Sequence, residues 1–136
     1  MEHPTLTRLK QEANYAIESF LNRYPQGAAD GPYDPVHYLM GIGGKRLRAV
    51  LALSAAEAEG FEAKKAQPAA LAVELFHNFT LMHDDIMDQA PKRRGNPTVH
   101  IKWDENAGIL SGDAMYTLAH MALAEMDPKG LPIALR

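Results

Sequence analysis

Apolar residues recur at steps of three and four along almost the whole chain. In the first stretch Leu6, Leu9, Ala13, Ala16, Ile17, Phe20, Leu21 and Tyr24 keep that spacing, with Arg8, Lys10, Gln11, Glu12 and Glu18 mostly between them. The pattern predicts an amphipathic helix, with Thr5 or Thr7 available to cap it. Pro25, Gly27, Gly31 and Pro32 interrupt it. A short helical piece around Val36 to Met40 ends in Gly41-Ile42-Gly43-Gly44, and helix resumes near Lys45 and runs to Glu59, where Gly60 is placed to stop it. From Pro68 to about Gln89 no glycine or proline intervenes, which gives roughly six turns. Leu71, Val73, Leu75, Phe76, Phe79, Leu81 and Met82 make this element apolar on much of its circumference, so it is expected to be central and largely buried. Pro91, Gly95 and Pro97 mark a loop, and a last long helix is expected from about Asp104 to Met126. No strand alternation persists beyond a few residues. The expected fold class is all-α, in one domain over residues 1–136. Leu131 to Arg136 read as the first turn or two of a further helix, too short to bury a face, so the chain reads as a piece of something longer.

Composition narrows the function classes. The 136 residues carry 14 Lys and Arg against 17 Asp and Glu, a formal charge of −3, and no cysteine. A disulfide scaffold, a zinc ribbon and a thiol nucleophile are thereby excluded, and a reducing compartment fits. A net negative charge argues against a chain that coats nucleic acid. No charge-free apolar run approaches the ~18 residues that span a bilayer, and no signal-like segment opens the sequence. The expectation is a soluble, cytoplasmic protein.

Asp84-Asp85-Ile86-Met87-Asp88 stands near the end of the central helix. Asp84 and Asp88 are four apart, ~40° around the axis and ~6 Å along it, so their carboxylates share a face. Like charges at that spacing repel, and a helix C-terminus disfavours anions. A shared cation removes both conflicts, and oxygen-only ligands on one face suit Mg²⁺ held jointly with phosphate oxygens. A solvated acidic helix end is the alternative. Gly43-Gly44-Lys45-Arg46-Leu47-Arg48 presents two glycines before a helix, with Lys45 and Arg48 three apart on its first turns, an arrangement suited to a polyanion. A solvated basic turn is the other reading of it. It is not a P-loop, since Leu39 stands where that pattern needs its first glycine and Arg46 where it needs Ser or Thr. Lys92-Arg93-Arg94 follows the acidic cluster. Its guanidinium forks match phosphate oxygens, and a structural salt bridge to Asp88 is the plainer role. His77 lies two turns before Asp84 on the same face; like His83, His100 and His120 it reads by default as a satisfied packing residue. Phe76 and Phe79 read as core. Taken together, an acidic face, a glycine-preceded basic face and an Arg pair fit one chemistry, the holding of two diphosphates.

These motifs resemble the N-terminal part of a trans-isoprenyl diphosphate synthase (polyprenyl synthetase). The resemblance runs from about Tyr38 to Met126 through Gly43 to Arg48, Glu74-Leu75-Phe76-His77, His83 to Asp88, Arg93-Arg94-Gly95 and Gly112-Asp113-Ala114. It implies an all-helical bundle around a deep cavity, usually homodimeric. By resemblance Asp84 and Asp88 would bind Mg²⁺ bridging to an allylic diphosphate (dimethylallyl, geranyl or farnesyl), with Asp85 supporting them and all three counted as catalytic. Arg93 would grip the allylic diphosphate; Lys45, Arg48, His77 and Arg94 would hold that of isopentenyl diphosphate. The implied reaction is head-to-tail elongation, in which metal-bound diphosphate leaves, an allylic cation forms, the isopentenyl double bond attacks it and a proton is lost. Phe79 and Thr80, five and four residues before Asp84, would set chain length, and with no two-residue insertion in the motif they resemble a short-chain, geranylgeranyl-type member. Family members are more than twice this length and carry a second aspartate-rich motif in the remainder, so this chain alone is expected to be inactive. The competing readings are a non-catalytic helical subunit keeping half of the diphosphate site and a terpene cyclase, against which the basic motifs count.

Overall fold

The computed structural model describes residues 3–129, and these form six α-helices, one 3-10 turn and a two-stranded hairpin. Helix α1 is Pro4–Leu21, α2 Tyr33–Gly41, α3 Leu47–Ala58, α4 Gln67–Met87, α5 Val99–Lys102 and α6 Glu105–Leu123; the 3-10 turn Ala63–Ala66 leads into α4. The all-α expectation holds. The segment Leu131 to Arg136, expected to begin another helix, lies outside the described residues.

Helix α4 is the axis of the molecule. Its most extensive contact is with α6, followed by α3, and it contributes to both apolar clusters. One cluster joins Ile17, Phe20 and Leu21 of α1, Val36, Leu39 and Met40 of α2, Leu71, Leu75 and Met82 of α4, and Met115, Leu118 and Ala122 of α6. The other joins Leu9 and Ala13 to Ala49, Val50, Leu53, Ala63 and Ala70. Each set recurs at helical spacing, so removing these side chains from water is what sets the helices together. The salt bridge Arg8–Glu57 ties α1 to α3, and Arg23–Glu125 joins the residues just past α1 to those just past α6.

Several boundaries differ from the sequence reading for local reasons. Helix α1 starts at Pro4 and is capped by His3, whose Nδ1 accepts the Thr5 N–H, so neither threonine is the cap. Helix α3 begins at Leu47 because Arg46 takes a left-handed conformation, φ 53°, which leaves Lys45 outside the helix. Gly60, at φ 83°, does end α3, with the Phe61 N–H returning to the Ala56 carbonyl. Helix α4 is left through Gln89, at φ 51°, with the Ala90 N–H on the Asp85 carbonyl. The loop after it contains strands β1 (Lys92–Arg93) and β2 (Asn96–Pro97), paired antiparallel. Arg94 and Gly95 between them both have positive φ, the geometry that turns a two-residue hairpin tightly. Asp104 caps α6 by accepting the Ala107 N–H.

The α4–α6 contact is close because α6 has glycine where the helices meet. A Cβ on Gly112 would collide with the His83 imidazole, and one on Gly108 would meet Ile86 Cδ1 at 2.8 Å. His83 also hydrogen-bonds the Ile109 carbonyl at 3.1 Å and stacks edge-on with Phe79. Gly112→Ala is therefore expected to destabilise by about 1–2 kcal/mol, the lost seat of His83 outweighing the ~1 kcal/mol that alanine gains in helix propensity. Gly108→Ala is expected to be milder, since Ile86 ends in a flexible side chain. Calorimetric melting of the two variants checks this order, and equal or raised melting temperatures for Gly112→Ala would contradict it.

Candidate functional site

Carboxylates of α4 divide by burial. Asp84 and Asp88 stand exposed, with Asp88 the C-cap of the helix. Asp85 is 5% exposed and meets Arg93 in a fork-to-fork pair, Nε to Oδ2 and Nη2 to Oδ1, both 2.8 Å. The expected bridge from the basic run to Asp88 is thus made to Asp85 instead, because Asp85 lies on the inward side of the helix, facing the hairpin. Asp85 raises the pKa of Arg93, first through the hydrogen bond and then through its charge, with Asp84 adding to it, while partial burial opposes. Two exposed carboxylates one turn apart fit Mg²⁺, which takes one or two protein carboxylates and fills its octahedron with water and phosphate oxygens. Among the described residues no three metal-ligating side chains converge.

The basic elements converge on α4 from both sides. Arg94, at the hairpin tip, donates from Nη1 to the Gly43 carbonyl. Its guanidinium lies against Gly44, where a Cβ would stand 2.9 Å from Nη1. Gly44 is held at φ 150°, so glycine serves here both the backbone angle and the approach of Arg94. Arg48, the second residue of α3, reaches a groove that His77 and Thr80 of α4 also line. Lys45 is exposed in the turn beside Gly44 and is not part of that groove, so the pairing of Lys45 with Arg48 on one helical face does not form. Burial pushes the His77 imidazole below its ordinary value, and Arg48, then Arg94 and Arg93, push it further, against the pull of Glu74. His77 therefore senses cations from two separate segments, the start of α3 and the hairpin.

The helix N-terminus expected to receive an anion already has one. Glu74 of α4, 4% exposed, accepts the N–H of Ala49, the third residue of α3, at 3.3 Å, and pairs with the buried Arg46. An internal carboxylate takes the dipole end, so a bound anion has the side chains of Arg48, His77 and Arg94 to meet. Glu74 and Arg46 were not marked as site residues in the sequence. The available signal was a carboxylate inside an otherwise apolar helix.

The groove itself is apolar, about 870 Å³, and runs between α3, α4 and α6, lined by Leu51, Val73, Phe76, Tyr116 and Leu123 beside Arg48 and His77. Phe76, read as core, is 45% exposed because it walls this groove. Thr80 lines it as well. Phe79 does not; its ring braces Phe76 and Tyr116 from behind, at centroid distances of 5.5 and 5.4 Å. Asp84 and Asp88 lie outside the lining, one to three turns further along α4.

The family model for polyprenyl synthetase matches residues 32–134. A geranylgeranyl diphosphate synthase of Methanosarcina mazei is 50% identical over 95 residues, 70% of this chain and 29% of the relative. A (2E,6E)-farnesyl diphosphate synthase of Mycobacterium tuberculosis is 46% identical over 93 residues, 68% of this chain and 26% of the relative. A crystal structure of geranylgeranyl pyrophosphate synthase superimposes with a TM-score of 0.87 and 47% identity, over 98% of this chain and 39% of the other. The chain thus spans about a third of the length of the curated relatives it matches.

The two neighbouring aspartates should respond oppositely to loss of charge. Asp85→Asn leaves Arg93 with a poorer partner in a partly buried place and is expected to destabilise by about 1–3 kcal/mol. Asp84→Asn relieves repulsion with Asp88 and is expected to leave the melting temperature unchanged or raise it. Chemical denaturation of both variants, without divalent metal, is the check; a destabilised Asp84→Asn would make that residue structural.

Proposed function

Because the chain belongs to the polyprenyl synthetase family, we propose that it forms the N-terminal part of a Mg²⁺-dependent prenyltransferase that condenses isopentenyl diphosphate with an allylic diphosphate. The observation that carries this reading is the gathering of Arg48, His77, Arg93 and Arg94, from three segments, between an exposed acidic helix end and an apolar groove. Diphosphates need concentrated positive charge, and an isoprenoid tail needs a dry wall beside it.

In this reading Arg48, His77 and Arg94, with Lys45 reaching in from the adjoining turn, hold the isopentenyl diphosphate. His77 is kept neutral by its surroundings in the free protein, and a bound diphosphate draws a proton onto it or accepts its N–H. Arg93, oriented by Asp85, offers its remaining N–H groups to the allylic diphosphate. Asp84 and Asp88 would hold Mg²⁺, which when bound neutralises the leaving diphosphate. Phe76, Tyr116 and Leu51 exclude water from the tail, and Thr80 sets the depth available to the product, with Phe79 acting through the Phe76 and Tyr116 rings it braces, in keeping with a short-chain, geranylgeranyl-type product. The exposed apolar residues of α6, among them Leu110 and Met121, support a homodimer. A cytoplasmic location belongs to the same reading; among the described residues no helix is long and apolar enough to cross a membrane.

In the longer protein that carries this segment, Asp84→Ala is expected to lower isopentenyl incorporation about a hundredfold or more while the fold persists. The 136-residue chain by itself is expected to bind an allylic diphosphate more tightly with Mg²⁺ than without it, and to show no turnover. Radiolabel incorporation and calorimetric titration measure the two; an unchanged rate in Asp84→Ala, or Mg²⁺-independent binding of the allylic diphosphate, would overturn the proposal.

A further inference from the structure

Arg46 and Glu74 have no role in the chemistry above, yet they join the turn that carries Lys45 and Arg48 to the helix that carries His77. We propose that Arg46 and Glu74 are positioning residues, a buried clamp that sets where Arg48 stands relative to His77. The inference rests on the diphosphate reading of that cluster and adds residues to it.

The clamp is built from three elements. Arg46 is 5% exposed and left-handed at φ 53°, a conformation unfavourable for a residue with a Cβ. It persists because two nitrogens of the guanidinium are hydrogen-bonded, while the third, Nη1, has no hydrogen-bond partner and faces Glu74 by charge alone. Nε donates to Asn14 Oδ1 of α1 at 3.0 Å, Nη2 donates to the Met40 carbonyl of α2 at 2.7 Å, and Nη1 lies 3.8 Å from Glu74 Oε1 of α4. The other carboxylate oxygen of Glu74 accepts the Ala49 N–H. One carboxylate therefore fixes the backbone on either side of Arg48, through the side chain of residue 46 and the amide of residue 49. Helix α3 has no side-chain cap of its own, so α4 dictates the direction of its first turn. His77 follows Glu74 by less than one turn of the same helix. A buried apolar pair would stabilise the fold as well as an ion pair does, but it would cap nothing and impose no direction on α3.

The test compares Asn14→Ala, Arg46→Lys and Arg48→Ala in the 136-residue chain. The readouts are the titration of His77 by proton NMR in the absence of ligand, and the affinity for inorganic diphosphate. Arg46→Lys keeps the charge and removes the fork, and is expected to weaken diphosphate about tenfold, the usual order for a residue that orients a ligand-binding one. It is also expected to return the His77 pKa toward its ordinary value as Arg48 moves off. Asn14→Ala, an exposed change on α1 that leaves packing intact, is expected to move both readouts the same way by less. Folded Arg46→Lys and Asn14→Ala proteins with unaltered His77 titration would overturn the clamp. If Arg46→Lys fails to fold, Asn14→Ala decides alone. Arg48→Ala is the control for the site itself: unchanged diphosphate affinity there would sink the site reading, while the ligand-free His77 titration still judges the clamp.

Discussion

Two carboxylates buried on one apolar helix must be neutralised by segments distant in sequence, and this requirement organises the molecule. Glu74 draws in Arg46 and the start of α3; Asp85 draws in Arg93 and with it the hairpin. A buried carboxylate left unpaired would cost several kcal/mol, so the turn before α3 and the loop after α4 are each tied to α4 by a cation. Once both are docked, their other cations have nowhere else to be. Arg94 lands on the Gly43-Gly44 backbone, and Arg48 opens onto the groove beside His77.

The arrangement separates structural from available charge by one residue at a time. Asp85 is buried while Asp84 is exposed; Arg46 is buried while Lys45 and Arg48 are exposed; Arg93 is engaged while the hairpin tip Arg94 is at the surface. Asp85 and Arg46 are tied into the fold while their neighbours face outward, and Arg93 keeps its fork on Asp85 with further N–H groups to offer. That is preorganisation: the available charges are held in place before any ligand arrives and need little rearrangement when it does.

Much of this was legible in the sequence, and the rest was hidden for physical reasons. The long helices followed from apolar spacing, since Leu71, Leu75 and Met82, or Leu9, Ala13 and Ile17, can only be buried together on a helix. The acidic and basic motifs were visible as violations of local preference. What spacing could not give was direction. A left-handed Arg46 has no signature when the residue is not glycine, so Lys45 was placed on a helix that begins two residues later. The cap of α3 comes from Glu74, 25 residues away, and the partner of Arg93 was decided by which side of α4 turns inward, so Asp88 was named where Asp85 serves. Phe76, which stands at the groove on the open flank of α4, reads as core from spacing alone because apolar residues announce burial without saying in what.

The acidic helix end and the cationic cluster must serve one bound assembly if the proposed chemistry is to occur. Crystals of this chain grown with Mn²⁺ and inorganic diphosphate would locate both at once through the anomalous signal of the metal. The metal is expected on Asp84 and Asp88, with diphosphate oxygens spanning from it toward the guanidinium of Arg93 and a second anion at Arg48, His77 and Arg94. Manganese bound elsewhere, or diphosphate settled on a face that none of these residues reaches, would contradict it.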